Sequence, residues 1–344
     1  MTTFSKEKIN QLDQFLANAK TIVITAHKSP DGDSIGCSLG LYHYLKKLNK
    51  NVVVCHPDKA PSFLLWMEGA NDILTLENNT DEVKSLIANA DLIFCLDYNH
   101  PSRTGRMEEL LVGAKGKKVI VDHHRDPDII FADLLFSDIS ICSTAQMIYE
   151  LIEARDDLRT IDAQIGTPLY TGIVTDTGSF RFSSVKPKTH EIVADLLRRG
   201  VKNAEVHENL FDSNSLNKLR MVSYALLEKL VILDEYKVAY VWLTQEEEKR
   251  FDIVKGDTEG LVNQILAIDG IKMSGFFKES EQIIKISFRS KGEIPVNTFC
   301  KEYFEGGGHL NAAGGKHVGN INDAIKKFVT KLPKFVQDNK ALFK

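Results

Sequence analysis

The stretch AHKSPDGDSIG, residues 26–36, follows the apolar run TIVIT and leads into a helix predicted from Ser34 to Leu48. His27, Asp31 and Asp33 place one imidazole and two carboxylates within seven residues at the end of a predicted strand. A tight turn needs the proline and the glycine between them, but it does not need the three polar side chains. The stretch therefore indicates either a capped turn or half of a metal site. The second interpretation requires further candidate ligands elsewhere in the chain.

The composition is that of a globular protein of 344 residues, with 43% hydrophobic and 26% charged residues. This length accommodates two domains of about 100–200 residues each. The net charge of -4 argues against a broad basic surface for long duplex nucleic acid. The polar N-terminus and the short apolar runs predict neither a signal peptide nor a membrane span. The cysteines are odd in number and form no CxxC pair, which is typical of buried thiols in the cytoplasm.

The first part of the chain alternates apolar and helical segments, a pattern typical of an α/β fold. The apolar runs TIVITA, NVVVCH, DLIFCLD and KKVIVD predict a parallel sheet with helices on both faces. Polar side chains follow three of these runs, among them Asp97 and Asp122. Because ligands bind outside the carboxyl ends of the strands in such sheets, we expect these side chains on one rim.

A domain boundary is predicted where the pattern becomes polar and helical and FDSNSLNK supplies turn and cap residues. Residues 1–187 are assigned to the parallel-sheet domain, 188–213 to a helical linker and 214–344 to a smaller α+β domain. In this second domain the pattern predicts a hairpin at VILDEYKVAYVWL, a helix capped by Asp257 and two strands, the second ending in SFRS. The glycine run GGGHLNAAGG and an amphipathic helix from about Asp323 complete it.

Acidic and imidazole side chains at the ends of these elements form one candidate metal set. The set comprises His27, Asp31, Asp33, Asp97, Asp122, His123, His124 and Asp176. Carboxylate oxygens suit hard divalent ions, and Mn²⁺ also accepts imidazole nitrogen. The set has too many ligands for one tetrahedral zinc. It suits two adjacent ions that share a bridging carboxylate, an arrangement that activates water for phosphoryl transfer.

Each motif also has an ordinary structural interpretation. The DGD segment can cap the helix that follows, the aspartate of LDYN can cap another helix, TDTG can be a turn, and DHH can lie at the surface by chance. All four would then fall at element ends, in this order, without any function. The joint pattern therefore favours the metal site over four independent accidents.

The same residues carry a resemblance to a known family. HKSPDGDSIG, the aspartate of LDYN, VDHH and TDTG follow the order of the four motifs of the DHH phosphoesterase superfamily. GGGHLNAAGG, preceded by SFRS, is similar to its associated C-terminal domain, so the resemblance runs from about residue 21 to 319. Within the superfamily the chain most resembles the compact bacterial subfamily of nano-RNases and 3′-phosphoadenosine-5′-phosphate (pAp) phosphatases.

This resemblance implies ligands for two divalent ions, with Mn²⁺ favoured by the imidazoles and Mg²⁺ as the alternative. His27 and Asp31 would bind one ion, and Asp97 would bridge both. The second ion would take three further ligands: Asp33, His123 and Asp176. Asp122 would orient a histidine, and His124 would lie near the scissile phosphate.

The resemblance assigns substrate binding to the second domain. Arg289 and Ser290 of SFRS, with Gly306, Gly307, Gly308 and His309 of the glycine run, would bind phosphate. Glycines let backbone N–H groups approach an anion closely, and an arginine fork suits bidentate binding. Arg103, in the loop after Asp97, is a further candidate phosphate contact. The active site is then expected in the cleft between the two domains.

The resemblance implies a phosphoesterase that hydrolyses short RNA to 5′-mononucleotides and pAp to AMP. Alternatives are a phosphodiesterase for cyclic dinucleotides or their linear products, an exopolyphosphatase or pyrophosphatase, and an inactive nucleotide-binding protein. The expected partners are short RNA and pAp, with no long duplex nucleic acid and no membrane. The residues do not decide the oligomeric state, for which the family suggests a homodimer.

Overall fold

A computed structural model describes residues 3–254 and 256–344. The chain divides into two compact units, the first ending at Ser213 and the second running from Asn214 to Lys344. The segment 188–213, predicted as a helical linker, lies in the first unit and contains most of one helix and the whole of the next. None of the helices in the described part of the chain has the length and apolarity needed to cross a bilayer.

The first unit is built on a parallel sheet in the order β3-β2-β1-β4-β5-β6. Its strands are β1 (Ile22–Thr25), β2 (Val52–His56), β3 (Leu74–Thr75), β4 (Leu92–Leu96), β5 (Lys117–Asp122) and β6 (Leu134–Ser137). The middle strands β1 and β4 are buried along their whole length, as expected for a sheet covered on both faces. The α/β prediction is confirmed, although β3 and β6 are not evident from the sequence pattern.

Helices cover this sheet on both sides. The helices of this unit are α1 (Lys6–Asn18), α2 (Gly32–Lys47), α3 (Thr80–Asn89), α4 (Glu108–Gly113), α5 (Thr144–Ala154), α6 (Ala163–Asp176), α7 (Pro187–Arg198) and α8 (Asn203–Phe211). Helix α2 begins at Gly32 rather than at the predicted Ser34. Asp31 is its N-cap, because its carboxylate accepts a hydrogen bond from the Ser34 N–H.

The strand order places a ligand-binding crevice at a defined position. Successive strands run outward in one direction from β1 to β3 and in the other from β4 to β6, so the order reverses between β1 and β4. Ligands bind at such a reversal, beyond the carboxyl ends of the strands. His27 follows β1 and Asp97 follows β4, so the topology brings these two side chains to the same crevice.

Close packing of α2 against α6 brings the TDTG motif to the same place. Gly32, Gly36 and Gly40 recur every fourth residue and therefore share one face of α2. A Cβ at Gly36 would lie 2.8 Å from the backbone nitrogen of Gly172 in α6, so a larger residue would push the helices apart. The contact carries the last residue of α6, Asp176, toward the first turn of α2.

The second unit holds a mixed sheet in the order β11-β12-β10-β9-β8-β7, in which only β8 and β9 are parallel neighbours within the described residues. Its strands are β7 (Val231–Leu233), β8 (Val238–Leu243), β9 (Met273–Ser280), β10 (Ile283–Ser290), β11 (Gly307–His309) and β12 (Ala312–Val318). Its helices are α9 (Leu216–Glu228), α10 (Gln245–Arg250), α11 (Leu261–Leu266), α12 (Val296–Tyr303) and α13 (Ile321–Asp338). The predicted smaller α+β domain is confirmed.

Packed phenylalanines form much of the core of this unit. Phe277, Phe288 and Phe328 are fully buried, and the first two rings meet edge to face with centroids 6.0 Å apart. One local prediction is wrong. Asp257 does not cap α11. The N-cap of this helix is Gly260, which has a left-handed backbone conformation, and the Asp257 carboxylate instead accepts a hydrogen bond from the N–H of Val254.

Candidate active site

Asp97 stands at the centre of the candidate site. It follows β4 with a φ of 60°, a left-handed conformation that aspartate tolerates better than most residues. Its side chain is almost completely buried, and its two oxygens face different neighbours. Oδ2 lies 3.3 Å from His27 Nε2, and Oδ1 lies 3.6 Å from His123 Nε2. One carboxylate therefore belongs to two groups of candidate ligands, as a bridging ligand must.

The first group consists of His27, Asp31 and Asp97. His27 Nε2 lies 3.7 Å from Asp31 Oδ2, and the three side chains offer ligand atoms within 4.8 Å of one another. His27 is buried, whereas the side chain of Asp31 is half exposed. The group is therefore open to solvent on the Asp31 side.

The second group contains Asp33, Asp97 and His123, with Asp176 beside them. His123 Nε2 lies 3.9 Å from Asp33 Oδ2 and 3.4 Å from Asp176 Oδ2. Asp33, Asp97 and His123 are buried, and they also offer ligand atoms within 4.8 Å of one another. Side chains separated by more than a hundred residues in sequence thus converge around one carboxylate.

Backbone contacts fix how the two histidine rings are turned. His27 Nδ1 lies 2.8 Å from the carbonyl oxygen of Lys28, and His123 Nδ1 lies 3.2 Å from that of Ile141. In a neutral imidazole, the form that binds a metal, an Nδ1–H donated to a carbonyl leaves Nε2 as the nitrogen with a lone pair. In both rings this Nε2 points to the shared carboxylate of Asp97.

The carboxylates repel one another strongly. Burial raises the pKa of Asp33 well above its usual value, and repulsion from Asp97 and Asp176 raises it further. Burial also raises the pKa of Asp176 to about 7, although the attraction of His123 partly offsets it. Burial lowers the pKa of His27, but Asp31 and Asp97 outweigh this and leave that pKa well above 6.5. The cluster therefore gains from added positive charge.

The donor set fits divalent cations. Its carboxylate oxygens are the ligands of hard ions, its imidazole nitrogens are oriented by backbone contacts, and its excess negative charge is relieved by a cation. His27, Asp31 and Asp97 would hold one ion. A second ion would take Asp97 together with three more ligands: Asp33, His123 and Asp176.

The Asp122 carboxylate is hydrogen-bonded to His124. His124 Nδ1 lies 2.6 Å from Asp122 Oδ1, and the other Asp122 oxygen accepts a hydrogen bond from the His124 backbone N–H at 3.0 Å. Both residues are buried. Burial is the main cause that lowers the pKa of His124 to about 3; Asp97 opposes the shift, and Arg103 and the neighbouring histidines add to it. The imidazole is therefore neutral near pH 7, and Nδ1 is its donor.

Arg103 lies close enough to influence this cluster. The turn that contains it, Pro101–Met107, is tied to the first motif because the Lys28 N–H donates to the Arg103 carbonyl at 2.9 Å. Burial would raise the pKa of Asp31, but the charges of His27 and Arg103 and a Ser34 N–H hold it well below its usual value. The sequence-predicted Arg103 is thus beside the first ligand group.

Arg289 and Ser290 differ in what they can offer a ligand. Residues alternate between the two faces of β10, so Arg289 lies on the opposite face to the buried Phe288 and Ser290. The Ser290 hydroxyl donates to the Ile294 carbonyl at 2.7 Å and accepts from the Asn311 amide at 2.9 Å. Ser290 therefore stabilises the loop after β10, whereas Arg289 is only half buried and carries the charge.

The glycine run forms a hairpin rather than a loop. Gly307, Gly308 and His309 make up the exposed strand β11, which pairs with β12 at the edge of the sheet. A Cβ at Gly306 would overlap the carbonyl oxygen of Gly314 and lie 2.6 Å from Cys300 Sγ, and Gly308 has a φ of 138°. A Cβ at Gly307 would meet nothing within 4 Å. Packing therefore requires two of the three glycines, and only Gly307 has open space beside it.

Three hydrogen bonds around the cluster are absent from the sequence prediction. Thr144 and Ala145, at the start of α5, donate backbone hydrogen bonds to Asp33. Asp58 accepts a hydrogen bond at 2.7 Å from the N–H of Ser29, which has a φ of 53° in the loop between His27 and Asp31. The only sequence signal near Thr144 is Ser143, a typical N-cap residue. It predicts where α5 begins but not which side chains the start of α5 contacts.

Comparison with known proteins identifies the class of this fold and site. The N-terminal domain of the DHH family matches residues 21–173, and the DHHA1 domain matches residues 235–338. The first match covers β1 to α6 almost to its end, and the second covers most of the unit that carries Arg289 and the glycine hairpin. The chain belongs to the DHH family, and the resemblance drawn from its motifs is confirmed.

Three individual proteins that are similar to this chain indicate the kinds of activity found among its relatives. A bifunctional oligoribonuclease and PAP phosphatase of Thermus thermophilus is 33% identical over 297 residues, 85% of this chain and 83% of that protein. A cyclic-di-AMP phosphodiesterase of Bacillus subtilis is 27% identical over 92% of this chain but only 48% of its own length. An exopolyphosphatase-related protein from Bacteroides fragilis has a crystal structure similar to this fold, with a TM-score of 0.93 and 36% identity over 99% of this chain and 98% of that one. The chain is a phosphoesterase of the hydrolase class.

Proposed function

We propose that the protein is a two-metal phosphoesterase that hydrolyses short RNA oligonucleotides to 5′-mononucleotides and pAp to AMP. The observation that carries the two-metal part is the Asp97 carboxylate, whose oxygens face His27 on one side and His123 on the other. Mn²⁺ is the ion we favour, because imidazole nitrogen is among its ligands. Two adjacent divalent ions activate water and stabilise the charged oxygens of a transferred phosphoryl group.

The choice of substrates has two supports. The Thermus relative is named for action on oligoribonucleotides and PAP, and it matches this chain over most of both lengths. The net charge of -4 suits short substrates better than long polymers, which need an extended basic groove. A cytoplasmic location and a homodimer stay predictions.

The residues around the ions have separate tasks in this proposal. His124 would lie near the scissile phosphate and act there as a proton acceptor through Nε2, because its Nδ1 donates to Asp122. Arg103, beside Asp31, would contact a phosphate oxygen in the first unit. Arg289 and His309 would supply the charged and polar contacts from the second unit, with the backbone at Gly307 as a third. Ser290 would support them indirectly, because its hydroxyl stabilises the loop after β10.

Replacing Arg289 should weaken substrate binding without affecting the ions. We expect Arg289→Ala to raise KM for pAp by about 10- to 100-fold, since a hydrogen bond to a charged group contributes about 1.5–3 kcal/mol. Arg289→Lys should recover little, because a lysine cannot make a bidentate contact. Steady-state kinetics on pAp, with Mn²⁺ titrated separately by calorimetry, measure both effects. Weaker Mn²⁺ binding with an unchanged KM would contradict the assignment.

Two neighbouring glycines provide a matched pair of variants. Gly306→Ala should destabilise the second unit by about 1–3 kcal/mol, because its methyl group overlaps Gly314. Gly307→Ala should fold normally but raise KM by about 3- to 10-fold, because its methyl group would keep phosphate away from the backbone N–H. Thermal melts and kinetics on pAp separate the two outcomes. If Gly307→Ala left KM unchanged, this backbone position would not contact the substrate.

A cyclic-dinucleotide phosphodiesterase is the second candidate, favoured by the Bacillus relative that matches 92% of this chain. The deciding experiment is a substrate panel with Mn²⁺: pAp, pGpG, dinucleotide RNA, cyclic-di-AMP and pyrophosphate, ranked by kcat/KM. We expect dinucleotide RNA and pAp to rank first. Preference for cyclic-di-AMP would favour the second candidate, and preference for pyrophosphate would favour the pyrophosphatase alternative. Tight nucleotide binding without turnover in any divalent metal would indicate a binding protein.

A further inference from the structure

The start of α5 is directed at the candidate metal ligands. The backbone N–H of Thr144 donates to Asp33 Oδ2 at 2.6 Å, and that of Ala145 donates to Asp33 Oδ1 at 2.8 Å. Ser143 is the N-cap and accepts from the Gln146 N–H. The first N–H groups of a helix have no partner within the helix and favour negative charge. Both oxygens of Asp33 are therefore held by the first turn of α5.

The side chain of the same threonine reaches the other central carboxylate. Thr144 Oγ1 lies 3.1 Å from Asp97 Oδ1 and donates its proton, since a carboxylate oxygen can only accept. Thr144 is fully buried and Asp97 almost so. Oδ1 is also the oxygen that faces His123, so the hydroxyl contacts the side of Asp97 that belongs to the second ligand group.

Thr144 consequently links two carboxylates that repel each other. Its backbone binds Asp33 and its hydroxyl binds Asp97, although these residues lie 111 and 47 positions away in the chain. Two buried anions without such donors would separate or take up protons. The donors supply a fixed spacing between them before any cation arrives.

We propose that Thr144 is a positioning residue for the second ion, holding Asp33 and Asp97 at the separation that this ion requires. The proposal rests on the two-metal site of the proposed function. It adds that the Thr144 hydroxyl sets the affinity for the ion on the His123 side. The ion held by His27 and Asp31 depends on it less, because Oδ2 of Asp97 faces that group.

The test uses Mn²⁺ binding to the full-length, metal-free protein, measured by isothermal titration calorimetry. Thr144→Val keeps the shape of the side chain and removes the donor, and Thr144→Ser keeps the donor. Thr171→Val is the matched control, because that buried hydroxyl donates only to the Thr167 carbonyl of its own helix among the bonds of the described residues. Half-maximal activation by Mn²⁺, and KM for pAp at saturating Mn²⁺, provide a second readout.

We expect Thr144→Val to weaken one of two Mn²⁺ sites by about 10- to 100-fold, the effect typical of residues that orient metal ligands. Thr144→Ser and Thr171→Val should bind both ions like the parent protein. In all three variants, KM for pAp at saturating Mn²⁺ should stay unchanged. Parent affinity at both sites in Thr144→Val would overturn the proposal. If that variant does not fold, Thr144→Ala carries the same prediction. A parent protein that binds fewer than two ions would instead overturn the two-metal function.

Discussion

Asp97→Asn should reduce kcat by about a thousand-fold or more, the largest effect of any single substitution considered. The variant keeps the size of the side chain, and asparagine tolerates the left-handed φ of 60° as well as aspartate does. It removes the negative charge that both ligand groups share. Loss of several kcal/mol of charge stabilisation in the transition state corresponds to a rate loss of about this size. Initial rates on pAp at saturating Mn²⁺ measure it.

Asp156→Asn is the matched control for this substitution. Asp156 has a φ of 56° and is exposed, so the same chemical change occurs in a similar backbone conformation at a distance from the cluster. It should leave kcat and Mn²⁺ binding unchanged. If Asp97→Asn retained most of its activity at saturating Mn²⁺, the shared-carboxylate assignment would be wrong.

Removal of divalent metal should abolish hydrolysis and lower the melting temperature of the first unit. Each ion present at about one hundred times its Kd stabilises the folded protein by about 2.7 kcal/mol. For a unit of this size, such an amount corresponds to a rise in melting temperature of about 5–10 °C. Differential scanning fluorimetry with EDTA and with added Mn²⁺ measures the shift. Equal melting temperatures in the two conditions would contradict the metal site.

The stabilisation by Mn²⁺ should also grow as the pH rises. In metal-free protein the pKa of Asp176 is about 7 against a usual 3.8, so the folded state binds a proton that the unfolded chain has released. Metal-free stability therefore falls as the pH rises from about 4 to about 7. The raised pKa of His27 acts in the same direction, because its contribution is lost as the pH passes through the folded value.

Melting curves at about pH 5.5 and about pH 8 test this dependence. The lower pH lies between the unfolded and the folded pKa of Asp176, and the higher pH lies above both. We expect a larger difference between the EDTA and Mn²⁺ samples at the higher pH. A difference that shrinks with rising pH would show that the carboxylates do not hold protons in the metal-free cluster.

Much of the candidate site follows from the sequence because a parallel sheet gathers the ends of its strands. His27 and Asp97 follow β1 and β4, which are neighbours at the point where the strand order reverses. The two interpretations of the DGD segment are also compatible. Asp31 caps α2 through Ser34 and at the same time belongs to the first ligand group.

The contacts that α5 makes with the cluster could not be predicted. Thr144 faces Asp33 and Asp97 only because α5 packs at the rim of the sheet. The sequence spacing of these three residues does not predict that packing. Sequence also cannot separate the glycines of the run. Gly306 is required by contact with Gly314 across the hairpin, whereas Gly307 has open space, and the two look alike in the sequence.

Soaking crystals of the protein in Mn²⁺ and collecting anomalous diffraction data at the manganese edge would test the two-ion site most directly. We expect two peaks in the anomalous difference map, one on each side of the Asp97 carboxylate. One should lie beside His27 and Asp31, and the other beside His123. A single peak, or peaks away from Asp97, would contradict the shared-carboxylate site.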